Sequence, residues 1–375
     1  MKLTWVISLA VISMMLFAST AAMAKQDVKR VIAKSEDVAA ALAEGCTVVK
    51  EHKRVSALSC PEDVASALGL SEDIEVHKMD AGANTQIKAS LQHAAGNDGT
   101  GRTIAVLDTG YNYNHPELAS SYLGGKDFVN LDDDPFDDEG HGSHVAGIIT
   151  ADGITAAAKG VAPGAGILSG KVLDAAGSGY FSDTIAAIYW VVDGADGVFG
   201  TGDETPVDAI SLSLGSSAPY LYKGTCDAVY PEMTAAIKYA KDHGIVVVIA
   251  AGNSGNPGVS LPGCISYATT VGAVDKLDKI ASFSGRGNAV DVTAPGVSIF
   301  STVLGSGYAS WSGTSMATPM VSGTVALVKN AHPDWTPAQV ENALTKTAKD
   351  LGKKGKDTSF GWGRIDANAA VNYAQ

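Results

Sequence analysis

Positive charge is scarce in this sequence, and charged residues of either sign are few. They make up 18% of the 375 residues, with 27 lysines and arginines against 40 aspartates and glutamates, so the formal net charge is −13. Nucleic acids and anionic membranes attract proteins mainly through lysine and arginine. We therefore expect neither as a partner, and we interpret the acidity either as a contribution to solubility or as local binding sites for cations.

Beyond residue 24 the chain lacks an apolar run long enough to cross a membrane. A spanning helix needs about 18–20 mostly apolar residues, and no later segment reaches that length with residues that are both uncharged and apolar. The first 24 residues differ, because Lys2 precedes an apolar run over 5–18 and Ala-Met-Ala at 22–24 forms a small-residue cleavage pattern. This pattern is typical of a secretory signal peptide. We expect residues 1–24 to be removed and the mature protein to be secreted, to the exterior or to a periplasm.

Cysteine is scarce as well, with four residues in the chain. In an exported protein, four cysteines indicate two disulfides. Cys46 and Cys60 lie at equal distances from Lys53 along the sequence, so a hairpin that turns near Lys53 brings them together at its base. Cys226 and Cys264 are then left to pair with each other. The alternative is two or more buried free thiols.

The composition, with 46% apolar residues and 42 glycines, favours a tightly packed α/β protein. We predict a small α+β unit over residues 25–80, made of the hairpin, a short helix and a strand. In the larger unit, 81–375, a linker and a short helix precede apolar runs that alternate with helical stretches. Continuous apolar runs are typical of parallel strands covered on both faces. The predicted strands are 103–107, 165–172, 209–214, 245–251 and 268–274; the predicted helices are 143–149, 184–192, 231–243, 315–331 and 337–351.

Four polar residues stand at the ends of predicted strands or at the starts of predicted helices. Asp108 and Asn253 directly follow strands, and His141 and Ser315 begin helices. In a parallel sheet the functional groups collect at the carboxyl ends of the strands. An imidazole can take the proton of a serine hydroxyl, a carboxylate can orient the imidazole, and an amide can stabilise an oxyanion. The simpler alternative is that Ser315 only caps its helix.

At these residues the sequence resembles the subtilisin-type serine proteases, or subtilases. The matching motifs are Val-Leu-Asp-Thr-Gly at 106–110, His-Gly-Ser-His-Val-Ala-Gly at 141–147, Ala-Ala-Gly-Asn-Ser-Gly at 250–255 and Gly-Thr-Ser-Met-Ala-Thr-Pro at 313–319. Their order, acid then histidine then serine, is the order found in that family. A serine esterase of the α/β-hydrolase class would need a Gly-x-Ser-x-Gly motif, which Ala317 interrupts. A catalytically silent calcium-binding relative is disfavoured because all four catalytic positions are filled.

The resemblance implies a three-layer subtilisin-like α/β fold with a mainly parallel central sheet, preceded by a small α+β propeptide domain. It implies that Asp108 orients His141, that His141 is the general base for Ser315, and that Asn253 helps to form the oxyanion hole. Residues 25–80 would be a propeptide that inhibits the enzyme and is cut by it within 76–84. We expect a monomeric endopeptidase that cleaves polypeptides with a broad, apolar preference. The resemblance places substrate contacts at Gly177, Ser178, Gly179, Tyr180, Ser213, Leu214, Gly215, Ala250, Ala251 and Gly252.

Two acidic loops are candidates for structural calcium. Crowded carboxylates repel one another unless a cation joins them, and Ca²⁺ binds six to eight oxygens. The segment 127–139 resembles the calcium loop of thermitase-like subtilases, and a second acidic loop spans 193–204. The alternative is that both are solvated acidic loops, and Glu117 stands where the family often has an aspartate ligand. The predicted ligands are Asp127, Asp132 and Asp134 in the first loop and Asp193, Asp196 and Asp203 in the second.

Overall fold

A computed structural model of the chain describes residues 28–51, 55–73 and 82–374. The chain divides into two compact units, Met1–Lys78 and Met79–Gln375. The predicted signal over 1–24 lies outside the described residues. So do the predicted hairpin turn at Lys53 and residues 76–81 of the predicted processing region.

The first unit contains a four-stranded antiparallel sheet in the order β2-β3-β1-β4. The predicted hairpin is formed by β2 and β3, and the Cys46–Cys60 disulfide closes it as expected. Its small core includes Val31 and Leu58. The elements are β1 Val28–Lys34, α1 Val38–Ala43, β2 Thr47–Glu51, β3 Val55–Pro61, α2 Glu62–Ala67 and β4 Ser71–Glu72.

The second unit is built on a seven-stranded sheet in the order β13-β12-β10-β8-β5-β7-β6, in which every neighbouring pair is parallel. A short antiparallel pair, β9 with β11, and a hairpin, β14 with β15, lie outside this sheet. The strands are β5 Thr103–Asp108, β6 Tyr122–Asp127, β7 Gly166–Lys171, β8 Ala209–Leu212, β9 Leu221–Tyr222, β10 Val246–Ala250, β11 Val259–Ser260, β12 Thr269–Val274, β13 Val292–Pro295, β14 Ile299–Thr302 and β15 Tyr308–Trp311.

Helices cover both faces of this sheet, which confirms the predicted three-layer arrangement. Along β5, Ile104 and Val106 join the apolar core shared with α5 and α8, whereas Ala105 and Leu107 join the core shared with α6 and α7. None of the helices within the described ranges is long and apolar enough to span a membrane. The helices are α3 Gly82–Gln86, α4 Ala89–Ala94, α5 His141–Thr150, α6 Phe181–Asp193, α7 Pro231–Asp242, α8 Thr314–Ala331, α9 Pro337–Lys346 and α10 Ala367–Val371.

All five predicted strands of the large unit are confirmed, but both edge strands of the sheet were missed. The β6 sequence contains two glycines, and the four-residue β13 ends in proline, so neither forms a continuous apolar run. The predicted end of the last long helix at 351 was wrong, because α9 ends at Lys346. The backbone of Lys349 instead exchanges hydrogen bonds with that of Arg364, which an α-helical backbone could not do.

Candidate active site

Asp108 and His141 meet at the carboxyl end of the central strand β5. Asp108 is its last residue and is fully buried, and His141 is the first residue of α5. Nδ1 of His141 donates a hydrogen bond of 2.7 Å to Oδ1 of Asp108, which also accepts the backbone N–H of Thr109 at 2.8 Å. With its proton held on Nδ1, a neutral imidazole presents an unprotonated Nε2. The pair is therefore arranged so that His141 can act as a base at Nε2.

Charges around His141 favour its protonated form. Burial lowers the pKa of His141, but the charge and hydrogen bond of Asp108 together with the charges of Glu139 and Asp137 outweigh that effect, so the pKa lies above its ordinary value. Glu139 also accepts the backbone N–H of His141 at 2.7 Å. The imidazolium that forms when His141 takes a proton is thus stabilised by nearby carboxylates.

His144, one turn further along α5, has a different environment. Its Nε2 donates to the carbonyl oxygen of Ala309 at 3.1 Å, and its ring stacks on Trp311 with centroids 4.5 Å apart. Burial lowers the pKa of His144 to about 4, so the ring is neutral at ordinary pH. His144 therefore contributes to packing beneath the site.

Ser315 is the second residue of α8 and exchanges two hydrogen bonds with Ser213. Its hydroxyl donates to the carbonyl oxygen of Ser213 at 3.1 Å, and the hydroxyl of Ser213 donates to the carbonyl oxygen of Ser315 at 2.9 Å. Pro319 stands four residues further on and has no N–H, so it cannot make the helical hydrogen bond to that carbonyl. The hydroxyl of Ser213 supplies the donor that the helix lacks.

The side-chain amide of Asn253 is held in one orientation by the residue before Ser315. Its Oδ1 accepts both the backbone N–H of Thr314, at 2.9 Å, and the Thr314 hydroxyl, at 3.0 Å. Nδ2 lies near Gly313, about 3.4 Å from the position that a Cβ atom would take there. Neither Nδ2 nor the backbone N–H of Ser315 donates to any other group in the described part of the chain. Both free donors lie beside Gly313, 3.4 and 3.6 Å from the position of such a Cβ atom.

The predicted substrate-binding segment, residues 177–180, is not part of a strand: Gly177 has a left-handed backbone with φ +70°, and Tyr180 is extended. A turn around Asp174 leads into it, with the carboxylate of Asp174 accepting the N–H of Ser178 at 3.0 Å. Gly179 lies so close to Val172 that a Cβ atom would stand 2.2 Å from the Val172 carbonyl oxygen. Among the described residues, neither Gly179 nor Tyr180 donates its backbone N–H to the protein. Their donors are available to another extended chain.

Ser260, which the sequence analysis did not identify, lies between the two predicted pocket segments. A Cβ atom on Gly252 would be 2.0 Å from Oγ of Ser260, and one on Gly215 would be 3.0 Å from its Cβ. Ser260 is 2% exposed, and its N–H donates to the carbonyl oxygen of Ala251 at 3.0 Å. No motif marks this residue in a single sequence; the short strand β11, which pairs with β9, carries it to the pocket segments.

Comparison with known proteins agrees with this geometry. The sequence model of a protein family described as the subtilase family matches residues 99–363. The chain belongs to the subtilase family. It is therefore a hydrolase of the serine endopeptidase type, and polypeptides are its class of substrate. The seven-stranded parallel sheet flanked by helices is the architecture expected of a subtilase.

Three similar proteins illustrate how much of this subtilase is shared. It is 40% identical over 275 residues to a thermophilic serine proteinase from Bacillus sp. (strain AK1). The aligned residues cover 73% of this chain and 62% of that relative. It is 39% identical over 321 residues to alkaline elastase YaB from Bacillus sp. (strain YaB), and the aligned residues cover 83% of this chain and 77% of that relative. It is 36% identical over 360 residues to subtilisin E from Bacillus subtilis, and the aligned residues cover 90% of this chain and 86% of that relative.

A disulfide ties the segment that carries Ser260 to a neighbouring segment. Cys226 and Cys264 are bonded as the sequence predicts. The N–H of Cys264 donates to the carbonyl oxygen of Ser260 at 3.2 Å, and the N–H of Cys226 donates to that of Cys264 at 3.0 Å. The disulfide therefore braces the backbone that carries Ser260.

The predicted calcium ligands accept hydrogen bonds from N–H groups of their own loops or from tyrosine hydroxyls outside them. In the first loop, Asp127 is buried and accepts the N–H groups of Val129 and Asn130, and Asp134 accepts the hydroxyl of Tyr113. In the second loop, Asp193 accepts the hydroxyl of Tyr239, Asp196 accepts the N–H of Val198, and Asp203 accepts the N–H groups of Ala195 and Asp196. Within the described ranges, no three His, Cys, Asp or Glu side chains lie close enough to hold a metal ion. Neither set fits calcium in this arrangement, and both sites remain predictions.

Glu117, at the position where subtilases often have an aspartate ligand, binds N–H donors instead. It is fully buried, and its carboxylate accepts the N–H groups of Gly153, Ile154 and Thr155 at 2.7, 3.0 and 2.6 Å. It also accepts the hydroxyl of Tyr308 at 3.0 Å. A loop that calcium organises directs its oxygens inward, whereas this loop directs its N–H groups inward. The Glu117 carboxylate is therefore satisfied by four donors of the protein.

Proposed function

We propose that Asp108, His141 and Ser315 form the catalytic triad of this endopeptidase. Support comes from the 2.7 Å hydrogen bond between His141 and Asp108, which leaves Nε2 of His141 as the base. In the reaction the hydroxyl of Ser315 exchanges its bond to the Ser213 carbonyl for one to Nε2. It then loses its proton to His141 as it attacks the peptide carbonyl. His141 then gives that proton to the leaving amine as the peptide C–N bond breaks and the acyl-enzyme forms. Water hydrolyses the acyl-enzyme, with His141 as base again.

The two free donors beside Ser315 are the proposed oxyanion hole. Nδ2 of Asn253 and the backbone N–H of Ser315 can both donate to the oxygen that becomes negative in the tetrahedral intermediate. Thr314 engages the carbonyl end of the Asn253 amide, so the amide need not reorient when the charge develops. The position of Ser315 near the start of α8 adds the positive end of the helix dipole.

The substrate chain is proposed to pair with Gly179 and Tyr180 in extended conformation. The side chain before the scissile bond would enter a pocket bordered by Leu214, Ala250 and Gly252, none of which is charged, which favours apolar side chains. Ser260 limits the depth of this pocket. We expect a peptide library to show a broad preference for apolar side chains, and Ser260→Gly to shift that preference toward larger ones. A strict requirement for Lys or Arg would refute this assignment.

We further propose that the protein is a secreted, monomeric zymogen. Residues 1–24 have the pattern of a signal peptide, and residues 25–80 resemble a short propeptide that blocks the catalytic domain until it is cut. About 55 residues form a marginal domain, since so small a core buries little apolar surface. The Cys46–Cys60 disulfide gives this unit a covalent constraint.

The intact mass of the secreted protein, wild type beside Ser315→Ala, tests these proposals. We expect the wild type to lose residues 25–80 as well as the signal, and the alanine variant to retain them and to be inactive on casein. Hydrolysis of casein by the purified alanine variant would refute Ser315 as the nucleophile. Loss of the segment from both proteins would instead refute processing by the enzyme itself.

A further inference from the structure

The proposed reaction does not use Asp137, a fully buried carboxylate four residues before His141. Burial raises the pKa of Asp137, but hydrogen bonds from its neighbours outweigh that effect and lower the pKa overall, so it is ionised at ordinary pH. Its two oxygens accept five hydrogen bonds, from the Thr109 hydroxyl (2.9 Å), the N–H groups of Glu139 (3.1 Å) and Gly140 (2.8 Å), and the N–H (2.8 Å) and hydroxyl (2.5 Å) of Ser143.

These donors come from both sides of the pair formed by Asp108 and His141. Thr109 directly follows Asp108 at the end of β5, whereas Gly140 and Ser143 belong to the start of α5. The hydroxyl of Thr109 donates to Asp137 and accepts the N–H of Gly142 at 2.8 Å. One buried anion thus joins the end of the strand to the start of the helix.

We propose that Asp137 is a positioning residue that sets the separation between Asp108 and His141. The proposal rests on the triad assigned above. A buried anion with five donors is costly to separate from them, because each donor would lose a charge-assisted hydrogen bond. The strand end and the helix start therefore cannot move apart without breaking this group of bonds, and the 2.7 Å contact between Asp108 and His141 is maintained.

Asp137 also acts on His141 through its charge. The charged and titratable groups around His141 are Asp108 at the end of β5, Asp137 and Glu139 in the segment before α5, and His144 within α5. The three carboxylates raise the pKa of His141, and burial opposes them. Activity requires the neutral imidazole, so it falls as the pH drops through the pKa of His141. Removal of the Asp137 charge should move this loss of activity to lower pH.

The test is Asp137→Asn in the mature enzyme, measured as kcat, KM and the pH profile of kcat/KM on a soluble peptide substrate. We expect kcat to fall about tenfold to hundredfold, as small displacements of catalytic groups can produce. KM should stay within about threefold, and the acid limb of the profile should move to lower pH. Asp133→Asn removes the same charge from an exposed residue in the same loop, and it should match the wild type.

Ser315→Ala separates a failure of this proposal from a failure of the triad. If Ser315→Ala keeps its activity, the triad is wrong. If Ser315→Ala is inactive while Asp137→Asn keeps the wild-type kcat and pH profile, only the positioning role is refuted.

A second pair of variants tests the same connection if Asp137→Asn does not fold. Thr109→Val removes the hydroxyl that joins Asp137 to Gly142, whereas Thr109→Ser retains it. We expect the valine variant to lose kcat without a change in the acid limb, because the Asp137 charge is still present, and the serine variant to recover the wild-type kcat. Equal kcat values for both variants and the wild type would overturn the proposal.

Discussion

Ser213 and Ser315 are joined by two reciprocal hydrogen bonds, hydroxyl to carbonyl in each direction, of 3.1 and 2.9 Å. The second of these bonds occupies the Ser315 carbonyl that Pro319 leaves without a helical donor. The helix that carries Ser315 thus depends on a residue that follows β8. A side chain at the edge of the substrate pocket compensates for a defect in the hydrogen bonding of α8.

This relationship predicts that the effects of Ser213→Ala and Pro319→Ala on stability are coupled. Ser213→Ala leaves a partly buried carbonyl without a donor and should lower the free energy of unfolding by about 1–3 kcal/mol. Pro319→Ala restores an N–H that can bond to the same carbonyl, so the double variant should recover about 1 kcal/mol relative to the sum of the single variants. Urea unfolding in the Ser315→Ala background, which prevents autolysis, measures each value. Additive effects would show that the two residues act independently.

Asn253→Ala should lower kcat by about 10²–10³ with little change in KM, because the donor acts on the charge of the tetrahedral intermediate and not on the bound substrate. This magnitude is the one known from the enzyme family, and the geometry of this chain does not set it. Asn256→Ala, an exposed asparagine in the same loop, is the matched control. Steady-state kinetics with active-site titration measures both. A loss of less than tenfold for Asn253→Ala would argue against its place in the oxyanion hole.

Glu117→Gln should destabilise the catalytic domain by about 3 kcal/mol, because a neutral amide directs an NH₂ group at the N–H donors that the carboxylate now accepts. The melting temperature and the urea midpoint in the Ser315→Ala background measure this loss. Glu117 is surrounded by donors, so the loss should be the same with calcium and with a chelator. A destabilisation that occurs only in the presence of calcium would instead identify Glu117 as a metal ligand.

Calcium removal tests the loop over 127–134. If calcium binds there, a chelator should lower the melting temperature, since a ligand present at about 100 times its dissociation constant stabilises a protein by about 2.7 kcal/mol. Asp132→Asn with Asp134→Asn should abolish that response, whereas Glu117→Gln should retain it. A wild-type melting temperature that is equal in calcium and in chelator would refute a stabilising site in this loop.

The sequence by itself determined the class of fold and the position of the four candidate catalytic residues along it. A short apolar run such as residues 103–107 is typical of a buried parallel strand, and an acid that directly follows one is expected at the carboxyl end of the strands. Asp108, His141, Asn253 and Ser315 could therefore be identified from local pattern and order alone. The two disulfides could be paired for the same reason, since one pair is symmetric about a predicted turn.

Only the tertiary structure decided which polar groups from distant segments contact one another. Ser260 reaches the pocket on a two-residue strand, and Glu117 meets a loop that begins 36 residues further along the chain. Asp137 joins a strand to a helix through five donors, and no periodicity or motif indicates such a group in one sequence. The reason is physical. Apolar periodicity reports which face of an element is buried, whereas a hydrogen bond between distant segments depends on where folding brings both of them.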